Sequence, residues 1–215
     1  MSPERAQARR QGVLFVISAP SGAGKTSLIA EVIQRMPEMS LSISYTTRRP
    51  RPHERSGREY HFTDEASFHA MAERGEFIEY AKVHGNWYGT HAGTLEDMRA
   101  HGRDVVLEID CQGARQVKNV CRSGVFIFIL PPSMEELKRR LLARDSETPE
   151  MMEQRIANAR REFAEAPFYD YRVVNAVFQD AAADLQAIFR AEQIRAQDHR
   201  ALLEQFIPQD TQVER

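Results

Sequence analysis

The architecture of this chain follows from one segment, Val13-Leu14-Phe15-Val16-Ile17-Ser18-Ala19-Pro20-Ser21-Gly22-Ala23-Gly24-Lys25-Thr26. Its first five residues are apolar and partly β-branched, which predicts a strand buried on both faces. Residues 18–24 are small and glycine-rich, and residues 26–36 have the pattern of a helix that ends before Pro37. A strand, a glycine-rich turn and a helix in this order predict a phosphate-binding loop, because the backbone N–H groups of the turn and the helix N-terminus point towards the anion.

Each polar side chain of such a loop has a predicted task. Lys25 reaches the β- and γ-phosphates of ATP, and the Thr26 hydroxyl holds Mg²⁺, whose remaining ligands come from phosphates and water. Ala19 stands where the usual pattern has its first glycine. The residues of the loop that we expect to bind ATP are Ser21, Gly22, Ala23, Gly24, Lys25, Thr26 and Ser27.

The rest of the chain alternates between strand and helix patterns. Buried strands are predicted at residues 105–109 and 125–130, and a weaker one at 172–178. Helices are predicted at residues 134–144, 150–165 and 181–206. This alternation predicts the α/β class, with a doubly wound parallel sheet as the core. Glu108 and Asp110 follow at the carboxyl end of one strand, the edge at which open α/β sheets bind ligands.

Bulk composition narrows the function classes. A chain of 215 residues with 42% hydrophobic residues suits one large α/β domain or a core with inserted subdomains. The net charge of −2 gives no general reason for binding nucleic acid or membranes. The two cysteines and seven histidines lack metal-site spacing, and residues 1–11 lack an apolar signal-peptide core. We therefore expect a cytoplasmic protein with no nucleic-acid or membrane partner, and its oligomeric state stays open.

Residues 45–102 are polar and rich in arginine, histidine and glycine, which predicts an inserted subdomain. Residues 44–52 place several guanidinium groups beside hydroxyls, and arginine binds phosphate with two parallel hydrogen bonds. The carboxylate of Glu79 can accept from both N1–H and the 2-amino group of guanine. Adenine lacks these donors, so a buried carboxylate disfavours AMP. The arginine cluster taken alone is equally typical of a solvated loop or a small RNA-facing patch.

Together these motifs closely resemble the guanylate kinase family. The resemblance runs from residue 11 to about residue 195. Its matching segments are residues 18–26, 44–51, 57–60, 77–90, 107–113, 129–133, 137–144, 154–156 and 173–175. It implies direct in-line transfer of the γ-phosphoryl group of ATP to GMP, with dGMP as a further candidate acceptor and Mg²⁺ as cofactor. The departures from the family pattern are Ala19, Glu108, Asp145 and Ala176.

The resemblance also implies roles for single residues. The expected ligands of the GMP phosphate are Arg48, Arg51, Tyr60 and Tyr88. The other GMP-binding residues are Ser44, Glu79, Gly89, Thr90, Glu108 and Asp110, of which Glu108 lies near GMP or the hydration shell of the metal. The expected catalytic residues are Lys25, Arg48 and the lid arginines Arg140, Arg144 and Arg155. Asn175 matches a position close to the ATP base.

We expect a kinase core at residues 11–43 and 104–207, with its lid at about residues 138–167. Residues 44–103 form the expected GMP-binding subdomain, and residues 1–10 and 208–215 are expected to be flexible tails. Three other interpretations stay open from sequence. They are a related kinase with another phosphorylated acceptor, a guanylate-kinase-like binding module without catalysis, and a nucleic-acid-binding protein that uses the basic loop.

Overall fold

The structure is a computed structural model that describes residues 10–83, 85–143, 149–196 and 206. In chain order its strands are β1 (Leu14–Ser18), β2 (Met39–Leu41), β3 (Tyr45–Thr46), β4 (His61–Phe62), β5 (Phe77–Val83), β6 (Asn86–His91), β7 (Asp104–Glu108), β8 (Val125–Leu130) and β9 (Tyr171–Val174). Its helices are α1 (Lys25–Arg35), α2 (Glu65–Glu73), α3 (Ala92–Ala100), α4 (Cys111–Val120), α5 (Met134–Leu142), α6 (Pro149–Ala164) and α7 (Phe178–Arg195). The predicted lid arginine Arg144, the departure Asp145 and nearly all of both predicted tails lie outside the described residues.

The described strands of the core form a five-stranded parallel sheet in the order β2-β7-β1-β8-β9. β1 lies at its centre, so the chain leaves the middle of the sheet first to one side and later to the other. All five residues of β1 are buried, as its apolar run predicts. The carboxyl end of β1 therefore lies at the point where the direction of winding reverses, which is where such sheets bind ligands. The predicted doubly wound α/β fold is confirmed.

Two apolar clusters cover the two faces of this sheet. One packs Phe15 and Ile17 against α1 and α7, and the rings of Phe15 and Phe189 lie 4.4 Å apart. The other packs the opposite face of β1 against α3 and α4 through Leu95 and Val117. The second cluster thus contains a residue from α3, a helix that lies within the segment 44–103.

The smaller sheet comes from the inserted segment and has the order β4-β3-β6-β5 in the described part of the chain. β6 pairs antiparallel with both β3 and β5, while β3 and β4 are parallel. Aromatic rings fill its interior around Phe68, which stacks on Phe77 at 4.6 Å. A small separate cluster joins α5 to α6 through Leu137, Leu141 and Ala159.

One predicted element is wrong at its carboxyl end. The strand expected at 172–178 stops at Val174, and Val177 is the N-cap residue of α7. Phe178 is apolar because it packs into the core as the first residue of a helix, which is why the run resembled a longer strand. α7 accordingly begins three residues before the predicted Ala181 and is described up to Arg195. Among the described residues, no helix has the length and apolar character needed to cross a membrane.

Candidate active site

The loop between β1 and α1 is built on two glycines with left-handed backbone conformation. Gly22 has φ of 89° and Gly24 has φ of 92°, values that residues with a side chain rarely adopt. Both also touch neighbours too closely for a Cβ, which would lie 2.9 Å from Cδ2 of Leu141 at Gly22 and 2.4 Å from Nδ2 of Asn175 at Gly24. The loop is therefore held between α5 and the carboxyl end of β9.

The cation and the hydroxyl that follow the loop face the carboxyl end of β7. Nζ of Lys25 donates to the carbonyl oxygen of Ile109 at 3.0 Å and lies 4.0 Å from Oε1 of Glu108. The Thr26 hydroxyl donates to the same Glu108 oxygen. A hydroxyl and a carboxylate at this place suit Mg²⁺, which prefers oxygen ligands and takes only one or two of them from protein in phosphate sites. The residues present therefore fit the implied metal.

A cationic cluster lines the insertion side of the cleft. Arg48 forms a bidentate ion pair with Glu54, at 3.0 Å from Nη1 and 2.9 Å from Nη2, and lies over the ring of Tyr60 at 5.3 Å. The backbone N–H of Arg51 donates to Glu54 as well. The hydrogen bonds from Arg48 and Arg51 lower the pKa of Glu54 to about 2, while Glu54 raises the pKa of Arg48. Burial raises the pKa of Tyr60, whose ring lies 5.7 Å from that of Tyr88. Together with Arg51, which lines the same cavity, this cluster offers a phosphate group two cations and two phenols.

A buried carboxylate lies deeper in the cleft. Glu79 is 4% exposed and accepts a hydrogen bond of 2.6 Å from the hydroxyl of Thr90. Burial raises its pKa to about 7, and the nearby charge of Asp110 adds to the rise. Glu79 lines a cavity of about 370 Å³ together with Ser44, Asp110 and Lys25. The cavity therefore runs from the phosphate loop to a carboxylate with few partners of its own.

The third side of the cleft comes from the two helices α5 and α6. Arg140 donates to the carbonyl oxygen of Asn175 at 2.9 Å and reaches that of Ala23 at 3.4 Å. Arg155 lies 3.4 Å from the hydroxyl of Ser21. A cavity of about 920 Å³ joins this side to the other two and is lined by Thr26, Glu108, Arg48, Tyr88, Arg155 and Asn158, among others. Its volume lies near the upper end of the range of about 300–1,000 Å³ that is usual for ligand pockets in proteins.

Comparison with known proteins identifies the family. A sequence profile described as "Guanylate kinase" matches residues 11–192. The chain belongs to the guanylate kinase family. Guanylate kinase of Syntrophotalea carbinolica is 50% identical over 188 residues, which cover 87% of this chain and 90% of that protein. Guanylate kinase of Aromatoleum aromaticum is 48% identical and covers 91% and 96% respectively. The crystal structure of guanylate kinase from Anaplasma phagocytophilum superposes with a TM-score of 0.74 at 35% identity, covering 92% of this chain and 96% of that one.

Most residues expected from the guanylate kinase pattern meet in this one cleft. They are Ser21, Lys25, Thr26, Ser44, Arg48, Arg51, Tyr60, Glu79, Tyr88, Glu108, Asp110 and Arg155. Thr90 joins them through Glu79, and Arg140 through the phosphate loop. Gly89 faces the aromatic cluster instead, since a Cβ there would lie 3.1 Å from the rings of Phe68 and Phe77. Asn175 is buried, and its amide donates to the carbonyl oxygen of Ala23 at 2.8 Å.

Three carboxylates near the cleft were not expected from sequence. Glu54 pairs with Arg48. It could have been identified from its position three residues after Arg51 in an arginine-rich loop. Glu136 binds Arg139 and Arg140, which lower its pKa to about 2. Glu162 is half-buried, and burial raises its pKa to about 7. Glu162 could have been identified from its spacing of seven residues from Arg155, because this spacing places both residues on one face of α6.

Proposed function

We propose that this protein is a guanylate kinase, which transfers the γ-phosphoryl group of ATP to GMP and releases ADP and GDP. The observation that carries the proposal is a single cleft in which a phosphate loop, an arginine–tyrosine cluster and the buried carboxylate of Glu79 face one another. A phosphate on Arg48 and a guanine on Glu79 would place the GMP phosphate towards Lys25. We also propose that the protein acts in the cytoplasm, where ATP and GMP are both present.

The ATP side of the site would be formed by residues 21–27. Backbone N–H groups of the loop and the N-terminus of α1 would bind the β-phosphate, and Lys25 would bridge the β- and γ-phosphates. Asn175 acts from behind the loop, because its amide holds Ala23 in place. Thr26 and Glu108 would hold Mg²⁺, which supplies charge neutralisation between the phosphates when bound.

The GMP side would read phosphate and base with separate groups. The phosphate would be bound by Arg48, Arg51, Tyr60 and Tyr88. Its negative charge would take over part of the role that the Glu54 carboxylate has as the partner of Arg48 in the empty site. Glu79 would accept from N1–H and the 2-amino group of guanine in its ionised form. AMP offers neither donor, so it would leave a buried carboxylate without partners.

Transfer would then require positioning and charge compensation and no covalent intermediate on the protein. Lys25, Arg140 and Arg155 converge on the phosphate loop from two sides and can neutralise the oxygens of the transferring group. α6 lines the cleft and α5 packs against the phosphate loop, and closure of the two helices over bound substrates would keep water from the γ-phosphate.

The test is release of ADP from ATP and Mg²⁺ with GMP, AMP, CMP or UMP as acceptor. We expect turnover with GMP, none without acceptor, and loss of turnover on removal of Mg²⁺. Glu79→Gln should lower kcat/KM for GMP by roughly 10- to 100-fold, since it removes a charge-assisted pair of hydrogen bonds, and should leave the KM for ATP unchanged. Glu73→Gln, the same change at an exposed position of the same subdomain, is the matched control. Turnover with another acceptor in place of GMP would overturn the proposal.

A further inference from the structure

Helix α4 of the core lies along the edge of the smaller sheet. β5 is an edge strand of that sheet, so its outer main-chain groups face no neighbouring strand among the residues that the structure describes. The side chain of Gln116 takes that place. The N–H of Tyr80 donates to Oε1 of Gln116 at 3.1 Å, and Nε2 of Gln116 donates to the carbonyl oxygen of Tyr80 at 2.9 Å. Because a carboxamide is both a donor and an acceptor, this one side chain reproduces the two-bond pairing of an adjacent strand.

The same side of α4 also touches the neighbour of Tyr80. Gly113 is one helical turn before Gln116, and a Cβ on it would lie 2.5 Å from Oε2 of Glu79. Asp110 caps the helix at this end, since its Oδ1 accepts from the N–H of Gly113 at 2.8 Å. The N-terminal half of α4 is thus the wall against which the Glu79 carboxylate rests.

The pairing of β5 with β6 is irregular next to Glu79. The register between the two strands shifts between Phe77 and Glu79, which marks an irregularity immediately before the carboxylate. Such a bulge changes the direction of the side chains that follow it. After the bulge, Tyr80 lies opposite Gly89 of β6, while its own N–H and carbonyl oxygen both bind Gln116 on the outer side of β5.

We propose that Gln116 is a positioning residue for base selection. By holding the main chain at Tyr80 it fixes the adjacent Glu79 carboxylate at the place where both oxygens can accept from guanine. The inference rests on the proposed use of Glu79 in GMP binding. Two donors on one base demand a fixed carboxylate, whereas a base with a single donor can follow a displaced one. GMP should therefore depend on Gln116 more than IMP, which has N1–H but no 2-amino group.

The experiment compares GMP with IMP in the full chain and in Gln116→Met, which keeps the length of the side chain and removes both hydrogen bonds. We expect kcat/KM for GMP to fall about tenfold through KM, with the KM for ATP unchanged. The ratio of GMP to IMP should fall roughly fivefold, because IMP loses less. Gly113→Ala, which displaces Glu79 directly, should lower the same ratio. Asn119→Met, at an exposed position three residues along α4, should change neither quantity.

The outcomes separate positioning from simple destabilisation. A general loss of folded protein lowers turnover on GMP and IMP equally, so an unchanged ratio in Gln116→Met overturns the inference. Binding of GMP and IMP is measured by calorimetry alongside turnover. If the parent chain binds GMP without phosphorylating it, the proposed function fails and the ratio of the two affinities still decides the role of Gln116. If the parent binds no GMP, both fail.

Discussion

Glu79 shows how burial sets both the strength and the pH range of a contact. Its side chain is removed from water, and its one described hydrogen-bond donor is Thr90. Removal from water raises its pKa to about 7, with a further contribution from the charge of Asp110, while the Thr90 hydroxyl opposes the rise. Below about pH 7 an empty site thus favours the protonated acid. A guanine with two donors favours the carboxylate, so the base and the proton compete.

The pH dependence of GMP use follows from this competition. A carboxyl group whose pKa is higher in the folded chain than in the unfolded one destabilises the fold as pH rises from about 4.5 to about 7. In the proposed role of Glu79, binding of GMP requires the ionised form and therefore has the opposite pH dependence. We expect kcat/KM for GMP to fall about tenfold per pH unit below pH 7, since this quantity reports the free protein.

The GMP phosphate also titrates near pH 6, so the measurement compares parent and Glu79→Gln across pH 5 to 8. The phosphate affects both proteins alike, and the ratio of the two profiles isolates Glu79. A ratio that does not change with pH would contradict the assignment.

Sequence predicted the chemical type of residue in the site better than its partners. Lys25, Thr26 and Glu79 were selected because their proposed tasks follow from local pattern and from the donors of a base, and all three line the cleft. Asn175 was expected near the ATP base, and its amide lies on Ala23, more than 150 residues away in the chain. Such a contact depends on how β9 meets β1 across β8, which no local pattern contains.

At the scale of elements, α5 joins α6 to the phosphate loop. Its N-cap is Ser133, whose hydroxyl accepts from the N–H of Glu136 at 3.1 Å. Its buried face places Leu137 and Leu141 against Gly22. Its polar face carries Glu136, whose carboxylate accepts from Nε of Arg140 at 2.7 Å and so fixes the guanidinium group. The helix therefore orients a cation towards the loop from a rigid base.

This arrangement distinguishes two adjacent arginines. Both donate to Glu136, but Arg140 reaches the carbonyl oxygens of Ala23 and Asn175 whereas the side chain of Arg139 is 72% exposed. We expect Arg140→Ala to lower kcat by roughly a thousandfold, the effect of removing a cation that compensates charge in the transition state. Arg139→Ala should stay within about twofold, because exposed ion pairs contribute little.

Single-turnover kinetics with saturating ATP and GMP measure both variants. Equal losses in the two variants would show that Arg140 acts only through the stability of α5.

The positions of helices and strands could be predicted from sequence wherever the periodicity of apolar residues determines them. The apolar patterns predicted α5 and α6 within two residues of their observed ends, whereas the extra strand length at Val177 came from an apolar helix start.

At the scale of the whole molecule, the cleft and the hydrogen-bond network around Asp104 lie at opposite ends of the five-stranded sheet. Glu108 ends β7 at the cleft, and Asp104 begins the same strand about 13 Å away. Asp104 is 2% exposed and accepts from Arg10 through two bonds of 2.8 and 2.7 Å, from the N–H of Val13 and from Nε2 of Gln193. This one carboxylate joins β7 to the start of β1 and to α7.

A substitution at Asp104 should therefore change the stability of the fold without changing the activity. Burial alone would raise its pKa, but the hydrogen bonds from Arg10, Val13 and Gln193 together hold it below the usual value of 3.8. Asp104→Asn removes the negative charge and places an amide NH₂ group, itself a donor, against the donors of Arg10, Val13 and Gln193. We expect about 2 kcal/mol less free energy of unfolding and a melting temperature lower by roughly 4–8 °C, with kcat and both KM values unchanged at 25 °C.

The sign of the pH effect gives an independent check on Asp104. A carboxylate with a lowered pKa stabilises the fold above the pKa it has in the unfolded chain, and the stabilisation is lost as pH falls through the lower value of the folded state. The difference in unfolding free energy between parent and Asp104→Asn should therefore be constant near neutral pH and shrink below about pH 4. Asp97→Asn, an exposed change on α3, is the control and should leave the unfolding curve in place. Equal denaturant midpoints for parent and Asp104→Asn at pH 7 would show that the network adds nothing to stability. A fall in kcat that accompanies the loss of stability would show that the two ends of the sheet are coupled.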